Sequence, residues 1–154
     1  MQPLLQISDT QPAVDASQQI LASKPSGDTL WAAVFVYMGG GTDASVLHGY
    51  LTYSVASIRA MAAAGVTRMG DIGGIPVLID SLSSDKGLLG SQPPAYIWTF
   101  ASEMLARFTG QTFGPTYDAD GPRIAAAQAL WKQWWAVNQS KLRWDSGQQL
   151  WVTS

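Results

Sequence analysis

The sequence has no cysteine and only one histidine, so several kinds of site are excluded or disfavoured at the outset. Without cysteine there are no disulfides, no thiolate metal ligands and no cysteine nucleophiles. His48, the single histidine, follows Leu47 in a predicted helix, and no HExxH motif or nucleophile elbow surrounds it. We therefore interpret His48 as a structural or surface residue, and we predict no catalytic residue, metal ligand or cofactor.

Charged side chains are also scarce. They make up 13% of the 154 residues, about half of the usual share of roughly 25%. The nine lysines and arginines are scattered from Lys24 to Arg143, with no basic run to neutralise a phosphate backbone, so nucleic-acid binding is disfavoured. So little charge has two interpretations: another molecule covers part of the surface, or glutamine, serine and threonine replace the charges.

Long apolar runs are missing as well. No run approaches the roughly 18 residues that a membrane span needs. The first residues, Met-Gln-Pro-Leu-Leu-Gln, lack the basic and apolar regions of a signal peptide. We expect a soluble chain with no membrane span and no signal peptide in this sequence. A removed export signal, an origin inside a longer chain and any oligomeric state stay compatible with it.

Apolar residues nevertheless make up 47% of the chain, enough for the core of one domain. Their spacing predicts an all-α fold of about six helices in antiparallel pairs, either a short α-solenoid or an irregular bundle. Residues 1–10 are predicted to be a flexible lead-in, and residues 11–154 a single helical domain. The predicted helices lie at about 12–23, 30–38, 44–64, 75–83, 95–109 and 122–141, and the second is expected to be well buried. The apolar face of the third is predicted to hold Leu47, Leu51, Val55, Ile58 and Ala62, and that of the last Ala127, Leu130, Trp131, Trp134 and Val137. A small C-terminal β-hairpin is predicted over residues 142–152, around a Ser-Gly turn.

The clearest helical pattern lies between Gly65 and Leu82. Ile75, Leu78, Ile79 and Leu82 follow one another at helical spacing and so share one face. Pro76 falls in the first turn, where its missing N–H costs nothing. This stretch predicts the end of one helix, a tight turn and the start of the next.

Two polar motifs have simple interpretations. Asp118-Ala-Asp-Gly contains part of a calcium-loop pattern, but no glutamate follows it to complete the ligand set. We interpret these aspartates as caps for the helix that begins near Pro122. Gly39-Gly-Gly-Thr-Asp lacks the Gly-Lys-Ser/Thr ending of a phosphate-binding loop, so it is interpreted as a helix stop.

Two segments resemble HEAT and armadillo repeats. Gly-Asp-Ile-Gly-Gly-Ile-Pro-Val-Leu-Ile-Asp-Ser-Leu, residues 70–82, is similar to the start of the second helix of such a repeat. Phe-Thr-Gly-Gln-Thr-Phe-Gly, residues 108–114, and the tryptophan-rich residues 131–142 resemble the C-terminal end of HEAT-like domains in bacterial proteins. The resemblance covers about residues 54–144. It implies an interaction or scaffolding role and brings no catalytic residues.

Tryptophan is unusually abundant, with seven residues. Trp131 and Trp134 are predicted to close the core. The other candidates are expected on helix flanks or on the hairpin, where exposed aromatic rings form interfaces or stacking surfaces. These interface candidates are Trp98, Trp135, Trp144 and Trp151.

Two functions remain open from the sequence. The first is a non-enzymatic protein-interaction or scaffold module that binds a protein partner or belongs to a larger complex. The alternative is a small-ligand or glycan-binding protein, or a small hydrolase, with its site in loops 84–94 and 110–122. The candidate residues for that alternative are Tyr96, Tyr117, Asp118 and Asp120.

Overall fold

The computed structural model describes residues 2–83 and 87–153, and these residues form a mostly helical fold. The helices are α1 (Gln2–Ala22), α2 (Gly27–Gly40), α3 (Ser45–His48), α4 (Ala56–Arg68), α5 (Gly74–Asp80), α6 (Ile97–Thr109) and α7 (Gly121–Asn138), with a 3₁₀ helix at Gly49–Thr52. Strands β1 (Leu142–Asp145) and β2 (Leu150–Thr153) pair antiparallel. The predicted fold, helical with a small C-terminal hairpin, is confirmed.

Helix α4 is the centre of the fold. Every residue from Ala60 to Thr67 is buried, and α4 contacts α2, α3, α5 and α6. Small residues make this close packing possible: a Cβ at Gly65 would meet Leu47 and Met38, and one at Gly74 of α5 would overlap the Ala63 carbonyl oxygen. The alanine- and glycine-rich sequence of α4 therefore allows several helices to pack around one.

The long helix predicted over residues 44–64 is wrong, because the chain breaks into α3, the 3₁₀ helix and α4. Tyr53 and Val55 have extended backbone conformations at the break. The Arg59 Nη1 donates a hydrogen bond of 2.6 Å to the Tyr53 carbonyl. This bond satisfies a carbonyl that has no helical partner because the helix is broken there. Val55, predicted on the buried face, is 49% exposed.

The stretch from Gly65 to Leu82 folds as predicted. Ile75, Leu78, Ile79 and Leu82 are all buried, and Pro76 lies in the first turn of α5. These four side chains hold α5 against α4 and so complete the predicted helix pair.

Helix α1 begins earlier than predicted. Its backbone is helical from Gln2, so the predicted start near Pro12 is wrong, and Pro12 lies inside the helix. Proline removes one helical hydrogen bond. Val14 and Leu21, which follow it, are buried in the hydrophobic core, and α1 packs mainly on α2. This packing maintains α1 beyond the proline. The division at residue 10 stays a prediction.

The C-terminal part closes the core. The Asp120 carboxylate accepts a hydrogen bond of 3.1 Å from the Arg123 N–H, so it caps α7 as predicted. Trp131 is fully buried. Leu130 and Val137 were predicted on the same face, but they are 46% and 63% exposed. The buried face of α7 is narrower than predicted: its buried residues are Ile124, Ala127 and Trp131, whereas Trp134 and Trp135 pack against the core but stay half-buried.

Candidate functional site

The polar residues singled out from the sequence have local structural partners. His48 Nδ1 lies 2.9 Å from Asp71 Oδ2, and Asp71 Oδ1 accepts a hydrogen bond of 2.8 Å from the Gly73 N–H. This pair ties α3 to the turn before α5. Within residues 2–83 and 87–153, no three histidine, aspartate or glutamate residues come together as metal ligands. None of the helices in those ranges is long and apolar enough to cross a membrane.

The two loops proposed as a ligand site border separate cavities. A cavity of about 180 Å³ borders the first loop and includes Ser83 and Gly87 in its lining. Another, of about 310 Å³, borders the second loop and is lined by residues of 112–119 and of α7. Residues 84–86 of the first loop lie outside the described residues.

The four candidate residues for this ligand site lie in different surroundings. Tyr96 stacks on Trp98, with ring centroids 6.1 Å apart, whereas Tyr117 is 86% exposed. Asp118 accepts a hydrogen bond of 2.7 Å from the Thr116 hydroxyl, which lowers the pKa of the Asp118 carboxyl. Asp120 is the α7 cap. In the part of the chain that the structure describes, no side-chain hydrogen bond, ion pair or ring contact joins Tyr96 to the other three. A ligand role for these four residues stays a prediction.

All four tryptophan candidates lie in or against the core. Trp98 and Trp151 are each 5% exposed, so the predicted flank position of Trp98 is wrong. The reason is that Trp98 shares the buried α6 face with Ala101 and Leu105. Trp144 and Trp135 are half-buried and pack against the core. Any contact of the four candidates with a partner stays a prediction.

The hairpin is fixed to the rest of the fold through tryptophan. Trp144 pairs with Trp151 across the strands, and the Trp151 indole N–H donates a hydrogen bond of 3.1 Å to the Thr67 carbonyl. The Trp144 ring also lies 6.3 Å from the Phe108 ring. These rings join the hairpin to α4 and α6.

Helix α2 has an exposed apolar side that was not predicted from the sequence. From Leu30 to Gly40 it carries no charged side chain, and its polar side-chain groups are the Tyr37 hydroxyl and the Trp31 indole N–H. The predicted burial is confirmed on its inner side, formed by Leu30, Ala33, Val34 and Tyr37. The remaining face is exposed or half-buried, and we call it the α2 outer face. It consists of Ala32, Phe35, Val36 and Gly39.

Phe35 is the most prominent residue of the α2 outer face. Its side chain is 45% exposed and lies flat against Trp31, with ring centroids 5.1 Å apart and an interplanar angle of 9°. The Trp31 indole is itself fixed, because it donates a hydrogen bond of 2.7 Å to the Leu89 carbonyl. A helix that is apolar on every side is normally buried on every side. The exposure of this face is therefore the feature of the fold that most needs an explanation.

The apolar surface continues onto α1. A groove of about 520 Å³ lies between the two helices, and Asp28 is the one charged residue in the described part of its lining. Its α1 side is formed by Ala13, Ala16, Ser17 and Ile20, and Ile20 is 39% exposed. The small side chains on both helices leave the groove open along its length.

A positively charged cavity lies at the C-terminal end of α2. It has a volume of about 170 Å³, and we call it the arginine cavity. Arg68 Nε donates a hydrogen bond of 2.8 Å to the Met38 carbonyl, and its Nη2 donates one to the Gly41 carbonyl at 2.6 Å. Partial burial lowers the pKa of the Arg68 guanidinium. The lining residues are Met38, Gly39, Ala64, Arg68, Phe100, Met104, Arg107 and Phe108.

Arg107 is the second cation of the arginine cavity. Its guanidinium carbon lies 5.8 Å from the centre of the Phe108 ring, and its side chain is exposed. Among the residues that the structure describes, no carboxylate lines the cavity. Glu103 precedes Arg107 by one helical turn, yet the ion pairs found among the described residues do not include this pair. Two arginines therefore share one cavity, and the lining that the structure describes holds no acidic group.

A further groove, of about 570 Å³, is lined by Lys24, Tyr50 and Tyr53 together with residues of α1 and α3. The two tyrosine rings lie 5.7 Å apart, and Lys24 adopts a left-handed backbone conformation with φ of 54°. Burial and the neighbouring Tyr53 raise the pKa of Tyr50. The size of the groove is within the range of small-molecule sites, roughly 300–1,000 Å³.

Comparison of the chain with protein-family models, with curated proteins and with solved structures gives no significant match. The resemblance to HEAT and armadillo repeats stays a prediction from the sequence.

Proposed function

We propose that this chain is a non-enzymatic protein-interaction module, part of a larger assembly, and that it contacts its partner through the α2 outer face. The proposal rests on one observation: the apolar helix α2 is buried on its inner side, but its outer face is exposed or half-buried. The sequence resemblance to HEAT and armadillo repeats, which are interaction and scaffolding elements, supports the same class of function.

The energetic argument rests on Phe35. With 45% of the side chain exposed, and a full phenylalanine surface of about 200 Å², a partner would cover roughly 90 Å². At about 25 cal/mol per Å² this corresponds to about 2 kcal/mol from one ring. Trp31 holds that ring in place, so little side-chain freedom is lost on binding. A fixed aromatic ring in an apolar surround has the properties of an interface hot spot.

The test is affinity enrichment from extracts of the source cells with tagged wild-type protein, Phe35→Glu and Val137→Glu. Val137 is 63% exposed on α7, so its substitution adds the same charge at another exposed apolar position. We expect a stoichiometric partner that is lost with Phe35→Glu and kept with Val137→Glu. Equal recovery of that partner by all three proteins would refute the assignment of the α2 outer face.

A second candidate function is small-ligand binding, favoured by the groove beside Tyr50 and Tyr53. It combines apolar walls with one ammonium group and phenolic hydroxyls, which is the usual make-up of a ligand site. Fragment screening by NMR would test it: resonance shifts should concentrate at Tyr50 and Tyr53 and disappear in Tyr50→Ala. Shifts elsewhere, or none, would contradict this candidate.

A further inference from the structure

We propose that the segment bound on the α2 outer face is an apolar peptide with one aspartate or glutamate, whose carboxylate enters the arginine cavity between Arg68 and Arg107. The proposal rests on the proposed function and specifies the chemistry of the partner. It combines two adjoining features, an exposed apolar face and a cavity with two cations.

The two features are adjacent along α2. Phe35 and Gly39 are four residues apart, so they lie on the same side of the helix and are separated by about 6 Å along its axis. Gly39 belongs to the α2 outer face and also lines the arginine cavity, together with Met38. A segment lying over Phe35 therefore reaches the cavity within one helical turn.

The charges of the cavity favour a carboxylate. Arg68 is held by two backbone carbonyls, so its guanidinium is fixed before any partner arrives. These bonds explain why an arginine lies at the end of α2, where a cation neutralises the helix dipole. They do not explain Arg107, which reaches the same cavity from α6. Guanidinium groups bind carboxylates through paired, charge-assisted hydrogen bonds, so one acidic side chain satisfies both arginines.

The size of the cavity indicates a side chain as its occupant. At about 170 Å³ it is smaller than typical sites for free small molecules, which occupy roughly 300–1,000 Å³. It is large enough for the end of an acidic side chain. Its other walls, Phe100, Met104 and Met38, are apolar and only half-buried. They provide contact for apolar residues next to the acidic one.

The test begins with a displayed library of random 12-residue peptides selected on the wild-type protein. We expect a consensus of apolar residues around one aspartate or glutamate. A synthetic consensus peptide should then bind Arg107→Gln about tenfold more weakly than it binds wild type. The same peptide with its acidic residue changed to the amide should lose a similar factor of affinity for the wild-type protein. Arg107→Lys should recover part of the loss. Arg123→Gln, at an exposed arginine of α7, is the matched control and should bind normally.

A double-mutant cycle separates a direct contact from a structural effect. If the carboxylate meets Arg107, the amide peptide should lose nothing further on Arg107→Gln. Additive losses, a consensus without an acidic residue, or full affinity on Arg107→Gln would each overturn the proposal. The remaining possible occupant of the α2 outer face is a second copy of the chain, and sedimentation velocity tests for it. A dimer that is abolished by Phe35→Glu would assign the face to this second copy and would also overturn the proposal.

Failure of this inference is distinguishable from failure of the proposed function. If the cellular partner is lost with Phe35→Glu but retained at full strength with Arg107→Gln, the interaction module stands and the acidic segment is refuted. If Phe35→Glu retains the partner, the interaction surface itself is refuted. Circular dichroism of each variant checks that the helical fold is unchanged.

Discussion

Replacing Gly74 by alanine tests whether close packing on α4 organises the fold. Gly74 is the first residue of α5, and an added Cβ would overlap both Thr67 Oγ1 and the Ala63 carbonyl oxygen. Neither atom is free to move, because the Thr67 hydroxyl donates a hydrogen bond of 2.6 Å to that same carbonyl. Val66 Cγ2 would lie 2.7 Å from the new atom. The clash therefore falls on the backbone of a fully buried helix turn.

The expected cost follows from this geometry. Inserting extra carbon atoms into a well-packed core destabilises a protein by about 1–3 kcal/mol, because side chains leave their preferred rotamers and the backbone shifts. Here the neighbours include a backbone carbonyl, so we expect a loss at the upper end, about 3 kcal/mol. Gly39→Ala is the matched control, since a Cβ there meets no atom of the described residues within 4 Å. It should stabilise α2 by roughly 0.5 kcal/mol through backbone entropy.

The assay is urea unfolding of the three proteins, followed by circular dichroism at 222 nm. Compared with wild type, we expect a lower urea midpoint for Gly74→Ala and an unchanged or higher urea midpoint for Gly39→Ala. A Gly74→Ala protein within about 0.5 kcal/mol of wild type would refute the reasoning. It would mean that α5 can move away from α4 at little cost.

Three further changes address single hydrogen bonds. Trp151→Phe removes the indole donor from the buried Thr67 carbonyl, which keeps its hydrogen bond from the Gly70 N–H, so the loss should be about 0.5–1.5 kcal/mol in the same assay. No change in stability would show that this bond does not contribute to the stability of the core. Asp120→Ala removes the α7 cap and should cost about 1 kcal/mol, while Asp120→Asn should keep most of it. Thr116→Val should raise the pKa of Asp118 in a ¹³C NMR titration. Because the folded-state pKa of Asp118 is lowered, its contribution to stability is present above the unfolded value of about 3.9 and is lost as the pH falls through the folded value. An unchanged Asp118 pKa would contradict this assignment.

The periodicity of apolar residues predicted the helices whose backbone is uninterrupted, and it failed where the backbone departs from a helix. Ile75, Leu78 and Ile79 were identified because they lie in one uninterrupted helix, where the spacing of apolar side chains follows the helical repeat. The break before α4 was missed because Leu47 and Ile58 keep helical spacing on both sides of it. Spacing between side chains does not reveal where the backbone becomes extended.

The candidate site was harder to predict, because it depends on tertiary neighbours. The signal for the α2 outer face was present in the sequence, as the absence of any charged residue from Leu30 to Gly40. How much of that helix is covered depends on which elements pack on it, and local patterns do not contain this. Arg68 and Arg107 belong to different helices, so only the packing of α6 beside α4 brings them to one cavity.

The link between Trp151 and Thr67 also has a consequence for synthesis of the chain. The two residues are separated by 84 positions, so α4 leaves the ribosome long before the side chain that covers its last turn. At roughly 5–20 residues per second, the delay is on the order of 4–17 s. During this time the apolar end of the central helix is open to chaperones and to other nascent chains. The C-terminal hairpin is therefore the element that ends this period of vulnerability.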